Sequence, residues 1–249
     1  MRFRLVLYTI LAASLCFPFP AKGQVVSINF DDGYIDPLTT GAVARLEKEG
    51  FRATFYPHTN ELGTPGHMTF QQLRLLASNG HEVSPHSVTH PDLTALPPVK
   101  MQTEILNSRN IFLLNGLRAY SFAYPFGAYN TLVISELKKA GFLFARGTDS
   151  DDQNNTTSNR WALMSESLTR LTSLAQIEIE LQKTINEKSW FVMVIHEIKA
   201  QSDSDRLYTI TPEFFNQMID LIVEYRISVR TNRQAACAYF KTGCGPLIQ

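Results

Sequence analysis

The feature that most limits what this chain can fold into is an alternation of short apolar runs with longer segments of helical period. The runs are Val25 to Phe30, Ala53 to Tyr56, His81 to Ser84, Tyr120 to Ala123, Phe142 to Ala145, Trp190 to Ile195 and Ile227 to Arg230. Each has the length of a strand. Helical segments separate them. Pro37 opens one that closes at Gly50, Thr69 caps one that ends at Asn79-Gly80, and Pro98 to Asn115 is closed by Gly116. Asn130 or Thr131 caps another, Ser173 to Lys188 carries Leu174, Ile177, Leu181 and Ile185 on one face, and Pro212 to Tyr225 is the last. Residues 161–168 are ambiguous and have room for a further short strand. About seven β–α units predict a parallel sheet with its helices outside. Residues able to do chemistry follow the ends of several different strands, which favours a closed or nearly closed barrel. No glycine-rich dinucleotide loop follows the first strand, which weighs against a nucleotide-binding sheet.

The chain of 249 residues is 44% hydrophobic and 18% charged, with a formal net charge of zero. That composition gives a folded domain with a real core and no pull towards nucleic acid or an anionic membrane. Arg2 and Arg4 precede an apolar stretch from Leu5 to about Phe19, and Ala21-Lys22-Gly23 follows. Residues 1–23 therefore read as a secretory signal peptide cleaved before Gln24. The apolar core is short for a membrane span. The mature chain is expected to be secreted or periplasmic, without stable membrane insertion, as one domain over residues 24–249. Removing the leader takes away Arg2, Arg4, Lys22 and Cys16 and leaves 20 basic residues against 23 acidic ones. Cys237 and Cys244 remain, and in an exported protein they are expected to form a local disulfide stapling the last loop.

Four stretches carry the candidate chemistry. Asn29-Phe30-Asp31-Asp32-Gly33-Tyr34 sets two carboxylates at the end of the first strand, with a glycine that lets the backbone turn. Neighbouring side chains on extended backbone point apart, so one acid can hold a metal while the other faces substrate or water. His86-Ser87-Val88-Thr89-His90-Pro91 follows the third strand, and its histidines are spaced to meet across one helical turn. Two histidines and one aspartate leave coordination positions open, the form of a catalytic metal site. Tyr124-Pro125-Phe126-Gly127 is a stiff loop whose backbone N–H can face a developing oxyanion. His196 closes the strand Trp190 to Ile195 and is placed for general acid work. Tyr34, Tyr124, Phe126 and Tyr129 are aromatic candidates for stacking on a sugar, with core packing the commoner fate of such residues.

As a set these residues resemble the polysaccharide deacetylases of the NodB-homology type, carbohydrate esterase family 4. The matching motifs are Phe30 to Gly33, then His86, Ser87, His90 and Pro91, then Tyr124 to Gly127, then Val194-Ile195-His196. The resemblance implies a distorted (β/α)7, TIM-like barrel that removes acetyl groups from glycans with a divalent metal, most often Zn2+, with Co2+ or Ni2+ as substitutes. It implies Asp31 as general base, Asp32, His86 and His90 as metal ligands, the Phe126 backbone N–H as oxyanion donor and His196 as the acid for the leaving group. Ile195 would line the pocket for the acetate methyl, and Tyr34, Tyr124 and Pro125 would border the substrate. The expected substrate is an N-acetylglucosamine-containing polysaccharide or oligosaccharide, and the expected state is a monomer. Three rival readings stand beside this one: an esterase removing O-acetyl groups from xylan or another glycan, a barrel that binds glycan without turning it over, and a hydrolase of small cyclic amides on the same barrel.

Two positions depart from the family pattern. Many members carry an arginine two residues before the third-motif proline, paired with the catalytic aspartate, and this chain has Ala123 there. Arg146 and Arg160 are the candidates to replace it. The family's Asp-Trp motif after the fifth strand is also missing; Asp149-Ser150-Asp151-Asp152-Gln153 occupies that segment. The polar loop Asp149 to Arg160 is expected to wall the substrate groove.

Overall fold

The computed structural model describes residues 23–148, 152–200 and 206–244. The expected leader lies outside these residues except for Gly23, and so do Asp149, Ser150 and Asp151. In chain order the strands are β1 (Val25–Asp32), β2 (Thr54–Pro57), β3 (Glu82–Val83), β4 (Ser121–Ala123), β5 (Phe144–Arg146), β6 (Glu166–Ser167), β7 (Trp190–Ile195), β8 (Glu197–Ile198), β9 (Thr209–Ile210) and β10 (Ser228–Val229). The helices are α1 (Asp36–Thr39), α2 (Ala42–Lys48), α3 (Phe70–Ser78), α4 (Pro98–Leu114), α5 (Thr131–Lys139), α6 (Leu174–Glu187), α7 (Pro212–Glu224) and α8 (Asn232–Phe240).

The strands can be followed round a ring. β1 pairs in parallel with β2 on one side and β7 on the other, and β2 pairs with β3. The Ala123 N–H donates to the Pro85 carbonyl at 3.3 Å, which joins β4 to the chain just past β3. β4 pairs with β5, β5 bridges to Leu163, and that segment continues into β6, which pairs with β7. The result is a (β/α)7 barrel, distorted because β3 and β6 are only two residues long. The ambiguous stretch 161–168 thus supplies the stave that closes it.

β1 shows how the sequence divides inside from outside. Val26, Ile28 and Phe30 face outward into the main core with Leu46, Phe55, Phe215 and Ile219. Ser27, Asn29 and Asp31, on the alternate face, point into the barrel. There the Asn29 carboxamide bonds Asn232, Asn232 donates to the Tyr56 hydroxyl, and Tyr56 meets Ser121 Oγ at 2.8 Å. Buried polar groups need partners, and this ladder supplies them up to Asp31.

Several elements differ from the sequence reading, which also lacks β8 and β9. The helix expected from Pro37 to Gly50 is two helices, α1 and α2, parted at Gly41, whose φ of 80° breaks the helix. The last strand shrinks to β10, which pairs only with Val25 and Val26 at the start of β1. α8 was not expected. Its N-terminus plugs the barrel floor, with the Asn232 N–H bonding Thr54 Oγ1 at 2.9 Å and the Arg233 N–H bonding Glu82 Oε2 at 2.7 Å. Cys237 lies within α8, so its disulfide to Cys244 ties that helix to the chain after it rather than stapling a loop alone.

Candidate active site

All of the candidate chemistry gathers at the C-terminal end of the barrel strands. Asp31 is the next-to-last residue of β1 and is almost wholly buried. Arg146, the last residue of β5, reaches it across the barrel, with Nη2 2.7 Å from Oδ1 and 2.5 Å from Oδ2. The arginine absent at Ala123 is therefore replaced from the neighbouring strand. Arg160 does not take part; its guanidinium lies over the Trp161 ring. Burial alone would raise the Asp31 carboxyl. Arg146, helped by His86 and His196, overcomes that and holds it below the usual carboxylate range.

The chain then turns sharply. Asp32 has φ 63°, Gly33 has φ 83°, and a Cβ on Gly33 would stand 2.6 Å from Pro57 Cβ. This turn swings Asp32 towards the same histidine that Asp31 approaches: His86 Nε2 is 3.8 Å from Asp31 Oδ2 and 3.8 Å from Asp32 Oδ1. Burial and the neighbouring Asp31 charge push the Asp32 carboxyl up to about 6.

His86 and His90 do meet, but not across a helical turn. The segment is a loop in which Ser87 has φ 67° and His90 has φ 58°. Glu104 of α4 holds it, accepting from the Val88 N–H at 2.8 Å, the Thr89 N–H at 2.9 Å and the Thr89 hydroxyl at 2.8 Å. His86 Nδ1 sits 2.8 Å from the Ala123 carbonyl, which can only accept, so Nδ1 carries the proton and Nε2 turns its lone pair inward. Nε2 of His86 and Nε2 of His90 are 3.1 Å apart, with Asp32 Oδ1 3.6 Å from the latter. Asp32 Oδ1 is buried without a hydrogen bond. A tetrahedral dication at about 2.0–2.1 Å from each ligand needs donors roughly 3.3 Å apart. The triangle of two imidazoles and a carboxylate fits that requirement. Burial keeps His86 neutral, its pKa lowered to about 3, as ligation demands.

The third-motif loop is a 3-10 turn, Pro125–Gly127, with Phe126 at φ 56°. Its internal bonds run from the Gly127 N–H to the Tyr124 carbonyl and from the Ala128 N–H to the Pro125 carbonyl. The Phe126 side chain is 67% exposed, and its ring packs edge-on against His90 at 4.6 Å. His196 follows β7 beside Tyr208, ring centroids 5.1 Å apart. Its Nδ1 is buried without a hydrogen bond.

Two substrate-border expectations fail on packing. Tyr124 is 1% exposed and donates its hydroxyl to the Trp161 carbonyl, so it is a core residue with no face to offer a sugar. Pro125 is buried beneath the turn that it starts. Ile195 is buried in the core, while Tyr34 is half-buried at the rim. The described part of the loop expected to wall the groove, residues 152–160, goes elsewhere: Gln153 bonds Thr184 and Ser189, and Asn154 pairs with Trp190, the first residue of β7, at the opposite end of the barrel. Glu104 gave no signal in the sequence beyond being an acid on a helix. His58, directly after β2, was detectable by the same strand-end rule that picks out Asp31.

Comparison with known proteins agrees with this geometry. The polysaccharide deacetylase family profile matches residues 20–145. The peptidoglycan-N-acetylglucosamine deacetylase PgdA of Listeria monocytogenes is 28% identical over 122 residues, covering 48% of this chain and 25% of that protein. A chitooligosaccharide deacetylase of a Bradyrhizobium species is 28% identical over 123 residues, covering 47% of this chain and 52% of its own. The matched region thus spans about half or less of these relatives. In fold, the Xyl-CE4 domain of a multidomain xylanase from the hindgut metagenome of Trinervitermes trinervoides superposes with a TM-score of 0.59 at 18% identity, covering 91% of this chain and 95% of that one. The chain belongs to the polysaccharide deacetylase family, carbohydrate esterase family 4.

Proposed function

We propose that the chain is an exported, metal-dependent hydrolase that removes N-acetyl groups from an N-acetylglucosamine-containing polysaccharide or oligosaccharide, acting as a monomer. One observation carries the reading. An ionised aspartate held by Arg146 stands within 3.8 Å of the histidine that it shares with the Asp32, His86 and His90 triangle. The names of the peptidoglycan and chitooligosaccharide relatives support an N-acetylated glycan as substrate.

Asp32, His86 and His90 would hold the dication, with zinc the best match to two imidazoles and a carboxylate. When bound, it supplies a Lewis acid for the acetyl carbonyl and acidifies water at the site. Asp31, ionised well below neutral pH, accepts the proton of the attacking water. The Phe126 N–H, which takes no part in the two bonds of its turn, donates to the oxygen on which negative charge grows. His196, across the mouth, gives a proton to the departing sugar nitrogen. Phe126 offers an exposed ring to the sugar, and Tyr34 borders the site at the rim.

Acetate release from N-acetylchitooligosaccharide and from acetylated xylan, measured side by side, tests the substrate class. Release from the first at a rate well above the second is expected. Release from xylan alone would make the protein an O-acetyl esterase. Glycan binding without acetate from either, with zinc, cobalt or nickel supplied, would make it a non-catalytic barrel. N-terminal sequencing of the exported protein tests the leader, with Gln24 the expected first residue.

A further inference from the structure

A second group of ligating side chains stands beside the first. His58 follows β2 directly, and Glu61 and His67 lie in the loop that leads on to α3. One donor atom from each falls within 4.8 Å of the others. Glu61 Oε2 is 2.8 Å from His67 Nε2 and 3.5 Å from His58 Nε2.

The hydrogen bonds around His67 are informative. The Thr64 hydroxyl donates to the Glu61 carbonyl at 2.7 Å, which uses its only proton. His67 Nδ1, 3.2 Å from the same hydroxyl, must therefore be the donor of that pair. In the neutral ring Nε2 then carries a lone pair, and it faces a carboxylate oxygen. Despite this closeness, His67 Nε2 is buried and makes no hydrogen bond. Buried polar atoms without partners are rare and need an explanation. A cation between the rings and the carboxylate satisfies the facing donors together.

The geometry points to a second transition-metal site, formed by His58, Glu61 and His67, that braces the β2–α3 loop against the rim of the active site. Two imidazoles select zinc or a similar ion over magnesium or calcium. The Glu61 side chain is 46% exposed, so a water can complete the coordination. The loop is already laced to the end of β1. The Ile35 N–H bonds the Gly66 carbonyl, the Met68 N–H bonds the Gly33 carbonyl, and the Tyr34 ring stacks on His67 at 5.0 Å. The His58 ring lies 5.7 Å from the His90 ring, so the two clusters share a wall.

Metal content tests this without reference to turnover. The purified protein is stripped with chelator, dialysed against zinc and counted by mass spectrometry. The wild type is expected to hold two equivalents, His67→Ala and Glu61→Gln one or fewer beyond background, His86→Ala one, and His67→Ala/His86→Ala none. Anomalous diffraction of wild-type crystals at the zinc edge is the second arm, in case a variant fails to fold. A peak touching both His58 and His67 is expected. A wild type that saturates at one equivalent, a second equivalent that survives His67→Ala, or a single anomalous peak at His86 and His90 would overturn the proposal. Absence of acetate release from any glycan would leave these counts unchanged.

Discussion

At the scale of single residues, the site rests on setting two adjacent aspartates to different tasks. Asp31 is buried against a guanidinium and stays ionised, while Asp32 is buried against Asp31 and titrates near 6. Asp31→Asn keeps the proposed ligand triangle and removes the proposed base. Metal content should stay at the wild-type level while kcat falls by about 10²–10⁴-fold. Arg146→Met removes the charge that offsets the burial of Asp31. The carboxyl pKa then rises, the base is protonated at higher pH, and the acid limb of kcat/KM should move upward, which a pH–rate profile would show. An unmoved limb would mean that Arg146 has only a packing role. This pairing was half legible in the sequence. The gap at Ala123 was visible, but choosing between Arg146 and Arg160 needs the strand register, which puts Arg146 at the inward-facing end of β5.

At the scale of elements, the histidine loop is held in an unfavourable backbone by one side chain of another helix. Ser87 and His90 both have positive φ, and Glu104 bonds three donors of the segment between them. Glu104→Ala should leave the barrel folded but weaken zinc binding at His86 and His90 by roughly 10–100-fold, as loss of an outer-shell partner does elsewhere. Calorimetric titration would check it, and unchanged affinity would show that the loop holds itself. The spacing of His86 and His90 was readable, but its geometry was not, because a four-residue interval fits a helical turn and a kinked loop equally well. The long elements were the most legible: β7 runs from Trp190 to Ile195 as read, and α4 and α7 differ by one residue at an end. α8 was missed although Thr231 and Gln234 form a capping box and Ala235, Ala236 and Tyr239 pack into a hydrophobic cluster with Trp190, because that apolar face is short and built largely of alanine. Tyr124 and residues 152–160 of the polar loop were misplaced for another reason. Composition suggests an aromatic or polar segment near a site, whereas only packing decides which end of the barrel it covers.

At the scale of the whole molecule, the fold buries four neutral histidines, three of them near its working end and His81 ahead of β3, towards the barrel floor. Burial lowers the pKa of His58, His81, His86 and His90. Each is neutral when folded and gains a proton on unfolding below about pH 6.5. Their contribution is therefore present above that pH and is lost as the pH falls towards the folded values. Asp32, raised to about 6, and Asp36 and Glu82, also raised by burial, work the other way over part of this range, against the four histidines. Urea unfolding of chelated protein should show stability rising from pH 5 to pH 7. Added zinc should stabilise more at pH 7 than at pH 5, because ligation requires unprotonated rings. A fall in stability across that range would contradict the assignment. The central claim, that the Asp32, His86 and His90 triangle and Asp31 together deacetylate a glycan, is tested most directly by following acetate release from N-acetylchitooligosaccharide through chelation and zinc restoration, in the wild type and in Asp31→Asn. The account predicts release that stops with chelator and returns with zinc in the wild type, and that stays about 10²–10⁴-fold lower in Asp31→Asn although zinc rebinds. Release that survives chelation, or an Asp31→Asn protein that turns over like the wild type, would contradict it.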